Sequence, residues 1–327
     1  MDKTLSPLLK KENSIKLECK KDIIDVDDLK IKEVEQILKN ADSFREVLER
    51  DIKKVPALRA KTVINMFYEP STRTKISFEL AAKRLGADVI NFSASGSSLL
   101  KGESDQDTLD TIKAMKADLA VIRHKNSGYV NYLAQNTDIP VINAGDGRHA
   151  HPTQALLDLY TIKKSFDRIK GLKVAIVGDI KNSRVARSDI KLFNRMGMDV
   201  TIIAPSMLMP ENMEMYQVHT AHKIDDVIKK ADVVYMLRMQ FERQSKGYYP
   251  SIREYCRFLS LDLTRAKKMK EEAIIMHPGP VNRNIEIQDC LFSEKIIQGK
   301  IKINEQVTNG VAVRMALLYF VFNCGEK

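Results

Sequence analysis

Residues 71–74, with the sequence Ser-Thr-Arg-Thr, lie between two apolar segments of different periodicity. Segment 62–67 (TVINMF) has the β-branched and aromatic content of a buried strand, and segment 76–85 repeats apolar residues at near-helical spacing. The polar residues therefore start a helix beyond the carboxyl end of a strand, where free N–H groups and the helix dipole favour anions. Arg73 adds a guanidinium that matches phosphate oxygens. The alternative interpretation is that Ser71 only caps the helix and Arg73 is a solvated surface residue.

Other polar side chains follow other predicted strands. In an open α/β sheet, ligands bind beyond the carboxyl ends of the strands. In the first half of the chain the residues in such positions are Ser97, Lys101, Arg123, His124, His151 and Gln154, and in the second half Arg184, Arg187, Arg238 and Gln240. A single arginine is most often solvated, but several at the sheet ends of two domains predict a site that binds more than one anion.

Two of these positions carry a local prediction. Pro152 suits a first helical turn, so it predicts His151 as the N-cap residue of a helix. Arg238 and Gln240 stand two residues apart and share one face if the preceding strand continues through them.

The alternation of apolar and amphipathic segments along the chain predicts the strands and helices that position these residues. From about residue 61, short apolar runs alternate with amphipathic stretches, which is typical of parallel sheets covered by helices on both faces. The polar segment 167–173 marks a domain junction, and the rhythm restarts after it. The strongly apolar stretch 310–323 predicts a buried helix. The other predicted helices are 105–115, 129–135, 152–163, 188–196 and 224–230. The fold class is therefore α/β, with two doubly wound parallel-sheet domains and the active site in the cleft between them.

Composition excludes several classes of function. The chain has 327 residues, 44% of them hydrophobic, which suffices for two packed domains. No run approaches the roughly 18 apolar residues of a membrane span, and the amino terminus lacks the apolar core of a signal peptide. The four cysteines form no C-x-x-C pair, which disfavours a structural zinc site and a disulfide framework and fits a cytoplasmic protein.

The net charge of +10 leaves a nucleic-acid partner as the minor alternative, because the basic residues are dispersed among 43 acidic ones. No G-x-G-x-x-G follows the strand predicted at 173–179, so dinucleotide binding is also disfavoured.

Five motifs, in their order and spacing, carry a family resemblance: FYEPSTRT, KGESDQDT, HPTQALLDLYTI, YMLRMQFER and HPGPVNR. They closely resemble the aspartate/ornithine carbamoyltransferase family from about residue 21 onward. The resemblance favours the aspartate branch. Ornithine enzymes have H-C-L-P where this chain has HPGP at 277–280, and they carry a Trp-containing ornithine motif, whereas this chain has no Trp.

The resemblance implies a role for each matching position. Residues implied to hold the phosphate of carbamoyl phosphate are Ser71, Thr72, Arg73 and Thr74. Residues implied to surround its carbamoyl group are Thr74, Arg123, His151 and Gln154. Residues implied to bind the carboxylates of aspartate are Arg184, Arg238 and Gln240. Residues implied to reach into the site of a neighbouring subunit are Ser97 and Lys101, and the backbone near Gly279 and Pro280 borders the reacting groups. Of these, the catalytic set is Arg73, Thr74, Arg123, His151 and Lys101.

The resemblance also implies a domain plan. An extension, 1–21, precedes a carbamoyl phosphate-binding domain, 22–167, which is completed by a carboxy-terminal helix, 307–327. The aspartate-binding domain spans 168–306.

The activity implied is transfer of the carbamoyl group of carbamoyl phosphate to the amino group of L-aspartate, in pyrimidine biosynthesis. No metal or organic cofactor and no membrane or nucleic-acid partner is expected. A homotrimer with shared active sites is expected, and regulatory chains are left open. Two alternatives remain: a carbamoyltransferase with another amine acceptor, and a basic non-catalytic protein that binds nucleic acid.

Overall fold

Two parallel β-sheets organise the chain in the computed structural model, which describes residues 21–93, 105–240 and 251–324. Within these residues, the first sheet has the strand order β2-β1-β3-β4 and the second β7-β6-β5-β8-β9. The strands of the first sheet are β1 (Thr62–Phe67), β2 (Asp88–Ser93), β3 (Leu119–His124) and β4 (Val141–Asp146). Those of the second are β5 (Lys173–Val177), β6 (Asp199–Ile203), β7 (His219–Ala221), β8 (Val233–Met236) and β9 (Ile274–Met276). The predicted fold class is confirmed.

Helices connect and cover these strands. In the first half they are α1 (Ile31–Glu49), α2 (Thr72–Arg84), α3 (Asp105–Ala114), α4 (Tyr129–Gln135) and α5 (Pro152–Ser165). In the second half they are α6 (Arg184–Arg195), α7 (Ile252–Leu259), α8 (Leu263–Ala266), α9 (Lys295–Gln298) and α10 (Ile303–Asn323). Among the helices of the described segments, none is long and apolar enough to span a membrane.

One predicted helix is wrong and two elements have other bounds. Segment 224–230 forms a 3₁₀ turn, Ile224–Asp226, followed by turns and not by a continuous α-helix: the Val227 and Ile228 N–H groups donate to the Ile224 carbonyl, and the Lys230 and Ala231 N–H groups donate to the Val227 carbonyl. Helix α6 begins at Arg184, four residues before its predicted start, since Ser183 caps it by accepting from the Ala186 N–H at 3.1 Å. Strand β8 ends at Met236, so it does not continue through Arg238 as one prediction assumed.

The core is built around two helices that are buried along most of their length. Helix α10 packs against α1, α2 and α5, and its side chains from Gly310 to Leu318 are buried. Helix α5 is buried from Pro152 to Ile162 and packs against α6 as well. Both helices therefore belong to the interior: α5 packs against β4 of the first sheet and α6 of the second half, and α10 covers α1, α2 and α5.

Candidate active site

The strand orders place a switch point in each sheet. In the first sheet the connections run to β2 on one side of β1 and to β3 on the other, and in the second they run to β6 and β8 on either side of β5. Ligands of doubly wound sheets bind at such points, beyond the carboxyl ends of the strands. Residues 71–74 follow β1, Arg123 lies in β3, Arg184 follows β5 and Arg238 follows β8. Both switch points therefore open onto the same pocket.

Twelve of the fourteen predicted site residues line this one pocket. They are Ser71, Thr72, Arg73, Thr74, Arg123, His151, Gln154, Arg184, Arg238, Gln240, Gly279 and Pro280. The other two, Ser97 and Lys101, lie outside the described residues. The assumption that Arg238 and Gln240 share a strand face was unnecessary, because both side chains reach the pocket from the segment after β8.

The amino terminus of α2 presents free backbone donors to the pocket. Ser71 is the N-cap residue but makes no capping hydrogen bond with its side chain, and its hydroxyl donates instead to Thr74 Oγ1 at 3.0 Å. The Lys75 N–H closes the first turn on the Ser71 carbonyl, which leaves the N–H groups of residues 72–74 without a helical partner. These groups and the positive end of the helix dipole make an anion site.

Two guanidiniums, those of Arg73 and Arg238, line this pocket close enough for their charges to interact. Burial, and then the positive charge of Arg238, lower the pKa of the Arg73 guanidinium. Arg73 also lies against Gly279, where an added Cβ would overlap Arg73 Nη1. Gly279 has φ +69°, a backbone conformation that favours glycine. The loop after β9 thus leaves space for the arginine that follows β1.

Glu69 joins two further guanidiniums, and sequence reasoning missed it. Its carboxylate accepts two hydrogen bonds from Arg184, at 2.8 and 3.0 Å, and one from Arg123 at 3.3 Å. Arg123 lies near the end of β3 in the first sheet and Arg184 follows β5 of the second, so Glu69 links the two halves of the pocket. Gly145, at φ +113°, lies against both Arg123 and Arg184. A Cβ at this position would stand 3.0 Å from Arg123 Nη1 and 3.1 Å from Arg184 Nε, so the close approach favours glycine.

His151 is the N-cap residue of α5, as predicted, and is buried. Burial, with the charges of Arg123, Arg184 and Arg314, holds its pKa well below the usual value. The imidazole is therefore neutral near pH 7 and acts as a hydrogen-bonding group. Its backbone N–H donates to Ser188 Oγ at 2.9 Å, which ties the start of α5 to α6.

A second histidine of the pocket, His277, has a structural role, because both of its ring nitrogens are hydrogen-bonded within the protein. Its Nδ1 accepts from the Gly279 N–H at 2.8 Å, so Nε2 carries the proton and donates to Glu286 at 3.1 Å. Glu286 also accepts from the backbone N–H groups of Met239 and Asn282. One buried carboxylate thus fixes both the segment of Arg238 and Gln240 and the loop of residues 277–280.

Arg314, on α10, is a further pocket residue that sequence reasoning missed. It donates to Ser77 Oγ at 2.8 Å and its guanidinium lies over the Phe78 ring at 5.1 Å. Burial lowers its pKa to about 10, opposed by the charge of Asp158, so it stays cationic at neutral pH. No local signal marked it, because its contacts join segments far apart in the chain.

The arrangement suits a pair of anionic ligands held side by side. A helix terminus with Arg73 lies on the first sheet's side, and Arg184 and Arg238 approach from the second sheet's side. Within the described part of the chain, no cluster of three or more His, Cys, Asp or Glu side chains could hold a metal ion. Guanidiniums and backbone N–H groups can stabilise negative charge that develops during group transfer.

Comparisons with known proteins agree with this chemistry. Residues 21–164 match the family model "Aspartate/ornithine carbamoyltransferase, carbamoyl-P binding domain", and residues 170–321 match "Aspartate/ornithine carbamoyltransferase, Asp/Orn binding domain". The aspartate carbamoyltransferase catalytic subunit of Halothermothrix orenii is 48% identical over 302 residues, 92% of this chain and 95% of that protein. The corresponding subunit of Thermobifida fusca is 50% identical over 299 residues, 91% of this chain and 94% of that protein.

Solved structures of similar proteins share the fold. The catalytic subunit of M. jannaschii aspartate transcarbamoylase superposes with a TM-score of 0.80 at 33% identity and covers 94% of this chain and 99% of that one. Aspartate transcarbamoylase from Trypanosoma cruzi, solved with carbamoyl phosphate and aspartate, gives 0.83 at 29% identity and covers 91% and 96%. Since the family models match most of the chain, in agreement with its two-sheet fold and its multi-arginine pocket, this protein belongs to the aspartate/ornithine carbamoyltransferase family.

Proposed function

We propose that this chain is a transferase that moves the carbamoyl group of carbamoyl phosphate to the amino group of L-aspartate. The products are N-carbamoyl-L-aspartate and phosphate, in the pathway of pyrimidine synthesis. The observation that carries the proposal is the single pocket that joins the α2 amino terminus to Arg184 and Arg238. Two anions held there would meet in the geometry of reaction, which lowers the entropic part of the barrier.

The site residues divide by substrate. We assign the phosphate to Ser71, Thr72, Arg73 and Thr74, because they surround the free N–H groups of α2. The carbamoyl group goes to Thr74, Arg123, His151 and Gln154, and the carboxylates of aspartate to Arg184, Arg238 and Gln240. The backbone near Gly279 and Pro280 borders the reacting atoms.

In the reaction the amino nitrogen of aspartate forms a bond to the carbonyl carbon, and the bond from that carbon to the phosphate oxygen breaks. Negative charge develops on the carbonyl oxygen, where Arg123 and the Thr74 hydroxyl donate. His151, kept neutral by burial, donates there without carrying a charge of its own. The proton lost by the attacking amine goes to the departing phosphate, which Arg73 holds.

The relatives support aspartate as the acceptor. The similar proteins are aspartate carbamoyltransferase catalytic subunits, and the Trypanosoma cruzi enzyme has been solved with carbamoyl phosphate, with aspartate and phosphate, and with carbamoyl phosphate and aspartate together. An anionic acceptor also suits the two arginines on the second sheet's side of the pocket.

A product assay with two alternative acceptors tests the proposal. Purified chain is supplied with carbamoyl phosphate and either aspartate or ornithine, and carbamoylated product is measured. We expect carbamoyl aspartate and no citrulline. Carbamoylation of ornithine with refusal of aspartate would overturn the acceptor, and a salt-dependent shift of RNA or DNA without any transfer would overturn the enzyme.

We further propose a cytoplasmic homotrimer in which Ser97 and Lys101 complete the site of the adjacent subunit. Apolar side chains stand exposed on α2 and β2, as a subunit contact would require: Ile76, Leu80 and Ile90 are 49%, 37% and 50% exposed. We assign residues 22–167 with the last helix to carbamoyl phosphate and 168–306 to aspartate. The packing of α10 against α1, α2 and α5 supports this division.

A further inference from the structure

Asp158 lies on α5 one turn after Gln154, and its side chain is fully buried. It accepts hydrogen bonds from three side chains on three elements. Gln154 Nε2 donates to both carboxylate oxygens, at 3.2 and 3.1 Å. The Tyr235 hydroxyl of β8 donates at 2.7 Å and Gln306 Nε2 of α10 at 2.6 Å. Since an ionised carboxylate only accepts hydrogen bonds, it fixes the orientation of all three donors.

The contact decides which end of the Gln154 amide faces the pocket. A primary amide has a donor end and an acceptor end of nearly equal size. With the NH₂ group turned to Asp158, the carbonyl oxygen Oε1 is the end left for the ligand. Gln154 lines the pocket and is 9% exposed, so this oxygen is within reach of a bound molecule.

The other groups at this end of the pocket are chiefly donors. Glu69 is an acceptor, but its oxygens already receive hydrogen bonds from Arg123 and Arg184. The other side chains that we assign to carbamoyl phosphate each carry an N–H or O–H donor, as does Arg314 beside them: Ser71, Thr72, Arg73, Thr74, Arg123 and His151. Carbamoyl phosphate has one nitrogen donor, its amino group, and that group needs an acceptor.

We propose that Asp158 is a positioning residue that holds the Gln154 amide with its oxygen toward the carbamoyl amino group, and so makes the pocket select carbamoyl phosphate over acyl phosphates of the same shape. The inference rests on the function proposed above. Acetyl phosphate is the matched probe, because a methyl group replaces the amino group while the carbonyl and phosphate are kept. A site that hydrogen-bonds a substrate N–H rejects an analogue without it, since a buried acceptor is then left unpaired.

The charges around Asp158 keep it able to accept. Burial raises its pKa to about 7, whereas the hydrogen bonds from Tyr235, Gln306 and Gln154 and the charge of Arg314 oppose that rise. Asp189 on α6 is equally buried, and neither of its oxygens has a hydrogen-bond partner among the described residues. Burial and the charge of Asp158 hold the pKa of Asp189 well above its usual range. The pair therefore places its negative charge on Asp158, which has the donors.

The test is the substitution Asp158→Asn. It keeps the shape of the side chain but replaces one carboxylate oxygen by an NH₂ group, which cannot accept from Gln154, Tyr235 or Gln306. Two quantities are measured at about pH 8 with saturating aspartate, where Asp158 is ionised. They are kcat/KM for carbamoyl phosphate and the inhibition constant of acetyl phosphate. We expect the first to fall about 10- to 100-fold and the second to change less than about threefold.

Controls separate positioning from general damage. Asp189→Asn makes the same substitution on the neighbouring helix α6 and should leave the preference for carbamoyl phosphate over acetyl phosphate unchanged. In a Gln154→Met background, Asp158→Asn should change the selectivity by less than about twofold, since the amide it orients is gone. If Asp158→Asn does not fold, Asp158→Ser removes the same acceptor with a smaller side chain and predicts the same loss.

Two outcomes overturn the inference: unchanged selectivity, whether both ligands lose equally or neither changes, and additive effects of the two substitutions. Absence of carbamoyl aspartate with the wild-type chain would instead overturn the proposed function, so the two failures are distinguishable.

Discussion

At the scale of single residues, the pocket depends on positive charges whose positions are fixed by partners. Arg184 and Arg123 are held by Glu69, whereas Arg73 and Arg238 line the same pocket with charges that repel each other. Like charges that approach in a partly buried site are costly until an anion lies between them. The arginines therefore have different roles, and substitutions can distinguish them.

Arg73→Ala should reduce carbamoyl transfer by about three orders of magnitude, because it removes a charge-assisted clamp on the leaving phosphate. Steady-state rates with both substrates saturating measure the effect. Arg84→Ala, at the other end of the same helix, is the matched control and should keep nearly full activity. If Arg73→Ala lowers the rate by less than tenfold, Arg73 does not hold the phosphate and is the solvated surface residue of the alternative interpretation.

Glu69→Gln should raise the KM for aspartate about tenfold, because the bidentate charged contact that orients Arg184 becomes a neutral one. The thermal midpoint should change little, since Glu69 lies at the pocket and not in a core. Initial rates across aspartate concentrations report the effect, with Glu79→Gln as control, since the half-buried Glu79 carboxylate on α2 pairs with Lys83 outside the pocket. An unchanged KM would mean that Arg184 needs no partner.

At the scale of elements, the sequence predicted what depends on local pattern. The strand of residues 62–67 and the helix that follows could be located because apolar periodicity and a polar turn lie within a few residues of each other. The roles of Glu69, Arg314 and Asp158 could not, because each depends on contacts between segments far apart in the chain. The helix predicted at 224–230 was wrong because helical periodicity allows a continuous helix without requiring one: after the 3₁₀ turn Ile224–Asp226 the chain continues in turns before β8.

The interface of α5 and α6 carries a prediction of its own. Asp189 keeps its proton in the folded chain, because its pKa there lies well above the usual range, whereas the solvated carboxyl of an unfolded aspartate is ionised at neutral pH. Above about pH 4, folding must therefore take up a proton, and the cost grows with pH until the folded carboxyl ionises. Asp189→Asn removes this cost, so its thermal midpoint relative to wild type should rise by several degrees between about pH 5 and pH 8.

Differential scanning calorimetry across that range measures the difference. Asp167→Asn, at an exposed position, controls for the change of side chain. The packing of the asparagine amide shifts the thermal midpoint by an amount that does not depend on pH. If the midpoint difference between Asp189→Asn and wild type stays constant with pH, Asp189 has the same pKa in the folded and unfolded chain, and the prediction is wrong.

At the scale of the whole molecule, the proposed trimer predicts complementation. Arg73 lies in the pocket of its own chain, and Lys101, outside the described residues, is proposed to come from the neighbour. Arg73→Ala and Lys101→Ala trimers, each inactive, are dissociated together and reassembled. With random mixing, about one-quarter of all sites should pair an intact Arg73 with an intact Lys101 and regain activity. Hybrids that stay inactive despite proven subunit exchange would show that Lys101 acts within its own chain.

Helix α10 has a consequence for the way the chain is made. It covers α1, α2 and α5, yet a ribosome synthesises it after every strand of the second sheet. The first sheet's helices therefore leave the ribosome with an apolar face that stays uncovered while the second sheet is translated, and domains generally fold as they emerge. Arg314 and Gln306 also arrive with α10, so a nascent chain has no finished pocket. Chaperones should engage the first half during that interval, and substrate can stabilise the protein only after translation has passed α10.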